Sequence, residues 1–143
     1  MNAKRICRLI LASAALLAPV PAFADLVVIV NPKNPTTHLS ADQVAQIYLG
    51  RTGSFPGGGA ASPVDLKEGD ALRDEFYTKV AEKSPGQLKA YRAKQMFSGA
   101  AAPPREVASV ADVRRAVASD PSAIGYIDRG ALDSSVKEIL TVR

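Results

Sequence analysis

The sequence predicts an α/β domain of three layers, a mostly parallel or mixed sheet with helices on both faces. Three observations predict it. The runs 26–30 (LVVIV) and 123–127 (AIGYI) have the continuous apolar character of strands covered on both sides. Segments with helical apolar spacing lie between them, each opened by a capping residue, so strands and helices alternate along the chain. No internal repeat is visible, and residues 25–143 suffice for one compact domain but not for two full lobes.

Residues 1–24 read as a secretory signal peptide: Lys4, Arg5 and Arg8 precede an uncharged run from Leu9, and Ala22-Phe23-Ala24 has the small-x-small cleavage pattern. Cleavage is expected after Ala24. Pro19 and Pro21 interrupt the uncharged run, which falls short of the roughly 20 apolar residues of a spanning helix, so no membrane anchor is expected once the leader is cut. Cys7, the only cysteine, sits in the basic region rather than at a lipidation position, so the mature chain has no thiol nucleophile and no disulfide. The formal net charge of +4 drops to +1 when Lys4, Arg5 and Arg8 are removed. Without a basic stripe or an aromatic-rich surface, nucleic-acid binding is disfavoured.

The elements follow in order. The run 26–30 is a first strand, buried on both faces, followed by a Pro/Thr loop through His38. Ser40 with Gln43 forms a capping box, and Leu39 with Val44 a hydrophobic staple, for a helix over about 41–49 that Gly50 ends. Residues 51–62 form a glycine-rich loop. A second strand, 63–66, leads into a helix near Asp70, whose Leu72, Phe76 and Val80 share one face. Ser84-Pro85 with Gln87 opens a third helix with Leu88, Tyr91 and Phe97 on or near one face, making a helical hairpin with the second. Residues 99–104 read as a loop, Ser109 caps a fourth helix with Val110, Val113 and Val117 inward, 123–127 is a third strand, and 136–142 a fourth.

The most informative stretch for function is 64–76 (VDLKEGDALRDEF), where a strand end runs through Gly69 into an amphipathic helix start. The free N–H groups and the dipole of such a start favour an anion. Asp70 is a good N-cap, but Glu68, Asp70, Asp74 and Glu75 surround the place with acid, offset only by Lys67 and Arg73. Those carboxylates, with Asp65, lack the order of a calcium loop and read more simply as a solvated, capped helix start. His38 is the sole histidine and has no nucleophile partner, so no catalytic residue and no metal site are expected. Gly57 to Gly59 lack the following Gly-Lys-Ser/Thr of a nucleotide loop. Thr36 and Thr37 follow the first strand, and two readings are open for them. At the carboxyl end of a parallel strand their hydroxyls would donate to an oxyanion; the simpler reading has them satisfy the backbone of a proline-broken loop.

Taken in order, 39–50 (LSADQVAQIYLG), 64–76 (VDLKEGDALRDEF) and 122–127 (SAIGYI) resemble the phosphate-binding periplasmic proteins of ABC transporters, a type 2 periplasmic binding-protein fold. That family has a Leu-Ser helix ending in Ile-Phe-x-Gly, a Trp-containing loop, an Arg-x-Asp-Gly-Ser-Gly-Thr helix start and a closing Gly-Ala-Ile-Gly-Tyr strand. The resemblance covers nearly all of residues 25–143 but about one lobe of the usual two. Phe55 stands where the tryptophan is usual. With Glu68-Gly69 on the family's Asp-Gly, Leu66 takes the place of the phosphate-clasping arginine, Asp70 that of the serine, Ala71 the glycine and Leu72 the threonine. Three phosphate-contacting side chains are thereby lost. The resemblance implies a non-enzymatic, cofactor-free periplasmic protein with phosphate or another small oxyanion as ligand, and a transporter permease or periplasmic protein as partner. The implied site comprises the backbone of Gly69, Asp70, Ala71 and Leu72, with Arg73, Thr36 and Thr37. The alternative is an adaptor or sensor-associated module that has lost phosphate binding.

Overall fold

The computed structural model describes residues 25–100 and 102–143; the expected signal peptide and its cleavage point lie outside the described residues. The elements run β1 (Leu26–Val30), α1 (Ala41–Tyr48), β2 (Ser62–Leu66), α2 (Ala71–Ala81), α3 (Pro85–Ser98), β3 (Arg105–Val107), α4 (Val110–Ser119), β4 (Ala123–Asp128), a short 3-10 turn (Arg129–Ala131) and β5 (Lys137–Val142). The capping residues behave as their types dictate. Ser40 with Gln43 and Ser84 with Gln87 each form a complete capping box, and Ser109 accepts from the Asp112 N–H.

The five strands form one mixed sheet in the order β3-β2-β4-β1-β5. β2 is parallel to both β3 and β4, whereas β1 is antiparallel to both β4 and β5. The expected mostly parallel or mixed sheet is thus the mixed one, its antiparallel pairs both made by β1. Alternating helices and strands favour parallel pairs only between strands joined by a crossover, and β1 enters between two strands from the far end of the sequence. All five residues of β1 are buried, as its unbroken β-branched run requires. β3 was not legible as a strand: it has three residues, only Val107 is apolar, and such a length carries no periodicity.

Helices cover both faces. Gly125 of β4 faces α4, where a Cβ at that position would lie 2.6 Å from Val113 Cγ1 and 3.0 Å from Val117 Cγ2. Alternation along the strand then turns Tyr126 to the opposite face. There it stacks on Phe76 of α2, ring centroids 4.0 Å apart, with Tyr48 of α1 at 5.8 Å. Val113 and Val117 are fully buried as expected, but Val110 is only partly so, and Phe97 stands 94% exposed rather than joining Leu88 and Tyr91 on the packed side of α3.

The close approach of α4 gives the first testable consequence. Gly125→Ala drives a methyl into Val113 and should cost about 1–3 kcal/mol by forcing side-chain and backbone shifts. Urea unfolding of the variant checks it, the expected result being a lower midpoint with an unchanged slope.

Candidate functional site

The helix start singled out in the sequence forms as a turn and a cap. The Asp70 N–H donates to Lys67 O at 3.1 Å, and Gly69 takes a φ of +92°, a conformation glycine adopts without a Cβ penalty. Asp70 then caps α2 with its own carboxylate, Oδ1 accepting from the Leu72 N–H at 2.9 Å and the Arg73 N–H at 3.4 Å. Two donors of this helix start, the Leu72 and Arg73 N–H groups, are thus held by a carboxylate of the chain itself. Gly69 and Ala71 are exposed, Asp70 and Leu72 half-buried, and Arg73 is buried.

Thr36 and Thr37 do not join this site. β1 ends at Val30 beside Ile124, which also neighbours Pro63 near the start of β2, whereas Gly69 follows the opposite end of β2. Because β1 runs antiparallel to β4, its carboxyl end lies with the amino ends of β2 and β4, which corrects the placement that a parallel sheet implied. Thr36 and Thr37 instead line a shallow depression with Pro56 and Gly57, beside an exposed His38. Nor do the two threonines carry the loop's backbone. That task falls to two buried asparagines: Asn31 Nδ2 donates to Val117 O at 3.0 Å and Ala118 O at 2.9 Å, and Asn34 Oδ1 accepts the Thr36 N–H while its Nδ2 donates to Pro121 O at 3.1 Å.

Beneath the capped start lies a polar core that the sequence reading missed. Asp65, read there as one of several solvated acids, is 1% exposed. Its Oδ2 accepts from the Tyr77 hydroxyl at 2.6 Å, and its Oδ1 from the Tyr126 hydroxyl and from the Leu66 N–H at 2.8 Å. Arg73 Nε lies 3.6 Å from Oδ2, an ion pair too long to be a hydrogen bond. Arg92 of α3 donates through Nη2 to Tyr77 Oη at 3.1 Å and to Tyr48 O at 2.7 Å, and the Tyr48 hydroxyl donates to Val64 O at 2.8 Å. The signal was present: an aspartate between valine and leucine in a short buried strand must find partners inside.

Burial, reinforced by the neighbouring Asp65 carboxylate, pushes the phenols of Tyr77 and Tyr126 far above their usual value, and burial does the same to Tyr48. All three are neutral donors at any physiological pH. The array holds a fixed internal anion and offers no nucleophile beside a base. Among the described residues no group of three or more His, Cys, Asp or Glu is placed to hold a metal ion.

Because the folded phenols resist ionisation while unfolded tyrosines titrate near 10, the stability they confer is complete below pH 10 and is lost as the pH rises beyond it. Tyr77→Phe and Tyr126→Phe are each expected to lose about 1–3 kcal/mol at pH 7 by stripping Asp65 of a donor, and to show a shallower alkaline decline. Chemical denaturation from pH 7 to 11 checks both parts.

No protein-family model and no curated protein matches the sequence. Solved structures do resemble the fold. An ABC-type phosphate transport receptor from Vibrio cholerae is 24% identical and superposes with a TM-score of 0.66 over 82% of this chain and 46% of its own. PstS from Borrelia burgdorferi is 15% identical, with a TM-score of 0.64 over 81% of this chain and 46% of its own. This chain therefore spans less than half the length of these receptors, and its fold is that of one lobe of a phosphate transport receptor.

Proposed function

We propose that this chain is an exported, non-enzymatic solute-binding module related to the substrate-binding proteins of phosphate ABC transporters. Residues 1–24 direct it to the periplasm and are cut after Ala24, leaving residues 25–143 as the exported domain. Its partners are a small oxyanion and a transporter permease. The observation that carries this reading is the passage from β2 through Gly69 into α2, a strand end and helix start of the kind that receives anions, here on a receptor-lobe fold.

The same geometry sets the affinity. Asp70 already occupies the Leu72 and Arg73 N–H groups, and its charge repels a second anion at that place. Phosphate is accordingly a weak ligand of the α2 start. A second reading, a periplasmic adaptor or sensor-associated module that docks a protein, is favoured by Met96 and Phe97, which stand 76% and 94% exposed at the end of α3.

Calorimetry on the purified protein tests the solute-binding reading, with phosphate and sulfate as titrants. The wild type should bind phosphate with a Kd no tighter than about 1 mM, and Asp70→Ser, which keeps a capping oxygen but removes the charge, should tighten it by about tenfold or more. A micromolar wild-type Kd would overturn the self-capped site. Silence from both proteins would remove oxyanion binding at α2 and leave the docking reading.

A further inference from the structure

Beside the capped helix start, a cavity of about 340 Å³ opens between α2, α3 and the chain at Pro103 to Glu106. We propose that this cavity binds a free α-amino acid with an apolar side chain; the inference rests on the solute-binding reading but names a different place and a different solute. Its innermost cation, Arg73, is 9% exposed and its Nε is buried without a hydrogen-bond partner. The two carboxylates nearest to it stand off, Asp65 Oδ2 at 3.6 Å from Nε and Glu106 Oε1 at 4.0 Å from Nη2. Both carboxylates pair with the guanidinium by charge without hydrogen-bonding it, and a carboxylate from a solute is the planar acceptor that matches the fork at its Nη end.

The charges are layered. Inside, Arg73 and Arg92 face the single carboxylate Asp65, leaving an excess of one positive charge. At the mouth, Glu106, Glu68 and Asp74 outnumber Lys89, leaving an excess of negative charge. A dianion would meet the acidic rim and be repelled, whereas a zwitterion presents a carboxylate inward and an ammonium outward. Glu106 lies 4.0 Å from the Arg73 guanidinium, so a carboxylate and an ammonium carried on one α-carbon can engage the two receptors side by side. Leu88, Met96 and Pro104 supply an apolar wall for the side chain, and Met96 adapts to its shape.

The test is calorimetry on the purified protein with L-methionine and L-leucine, alongside N-acetyl-L-methionine, L-methionine amide and inorganic phosphate. The free amino acids should bind with a submillimolar Kd, the acetylated and amidated analogues at least about tenfold more weakly, and phosphate should not compete. Glu106→Gln, at a half-exposed side chain, should leave the melting temperature unchanged while weakening L-methionine by about tenfold or more. Silence from both amino acids, equal binding of the blocked analogues, or an unaffected Glu106→Gln variant would each overturn the assignment. A phosphate response without an amino-acid response would overturn it while leaving the oxyanion reading at α2 intact.

Discussion

One buried carboxylate ties the layers of this domain together. Asp65 sits inside β2, and its two oxygens gather Tyr77 from α2, Tyr126 from β4 and the next backbone N–H of its own strand. Tyr77 passes the connection to Arg92 on α3, and Arg92 reaches the last carbonyl of α1. A buried charge is tolerated only when its hydrogen bonds are made, so each of these elements must sit where it does before the carboxylate can be dry. The tyrosine rings serve twice, since Phe76, Tyr48 and Tyr126 also pack face and edge against one another in the layer between sheet and helices.

That arrangement explains why the helix start above it differs from an open anion cradle. Arg73 is drawn down toward Asp65, with its guanidinium 5.7 Å from the Tyr77 ring, instead of reaching out past the start of α2. Asp70 meanwhile holds the Leu72 and Arg73 N–H groups from within. The charge pattern at the surface and the polar core thus form one system, in which Arg73 is held by charge beside Asp65 without hydrogen-bonding it and two donors of the α2 start are capped by Asp70. The antiparallel entry of β1 adds a further separation, because it carries the Thr36 and Thr37 loop to the far end of the sheet.

Much of the architecture was legible because it is written in local rules. Ser40 with Gln43, Ser84-Pro85 with Gln87, Ser109 and Asp70 announce helix starts through their own hydrogen bonds, and 26–30 announces a covered strand through its branched side chains. What was illegible is what depends on partners distant in sequence. Asp65 looks like one more acid of a helix start until Tyr126, 61 positions away, closes on it. The direction of β1 cannot be read from its residues, since LVVIV pairs equally well either way. Asn31 and Asn34 fell within a loop dominated by prolines and threonines, and their roles emerge only where the chain near Val117 and Pro121 comes alongside. Phe97 shows the reverse error: helical spacing suggested a packed face, but its side chain stands exposed at the end of α3.

The claim beneath all of this is that Asp65 is a charged, dry anchor rather than a tolerated polar residue. Equilibrium unfolding of Asp65→Asn at pH 7 tests it most directly, because the amide keeps the shape and an acceptor while Arg73 and Arg92 lose their buried counter-charge. A loss of about 3–5 kcal/mol is predicted, the range for breaking a buried pair from one side. A loss within about 0.5 kcal/mol, the size expected of a surface substitution, would contradict the account.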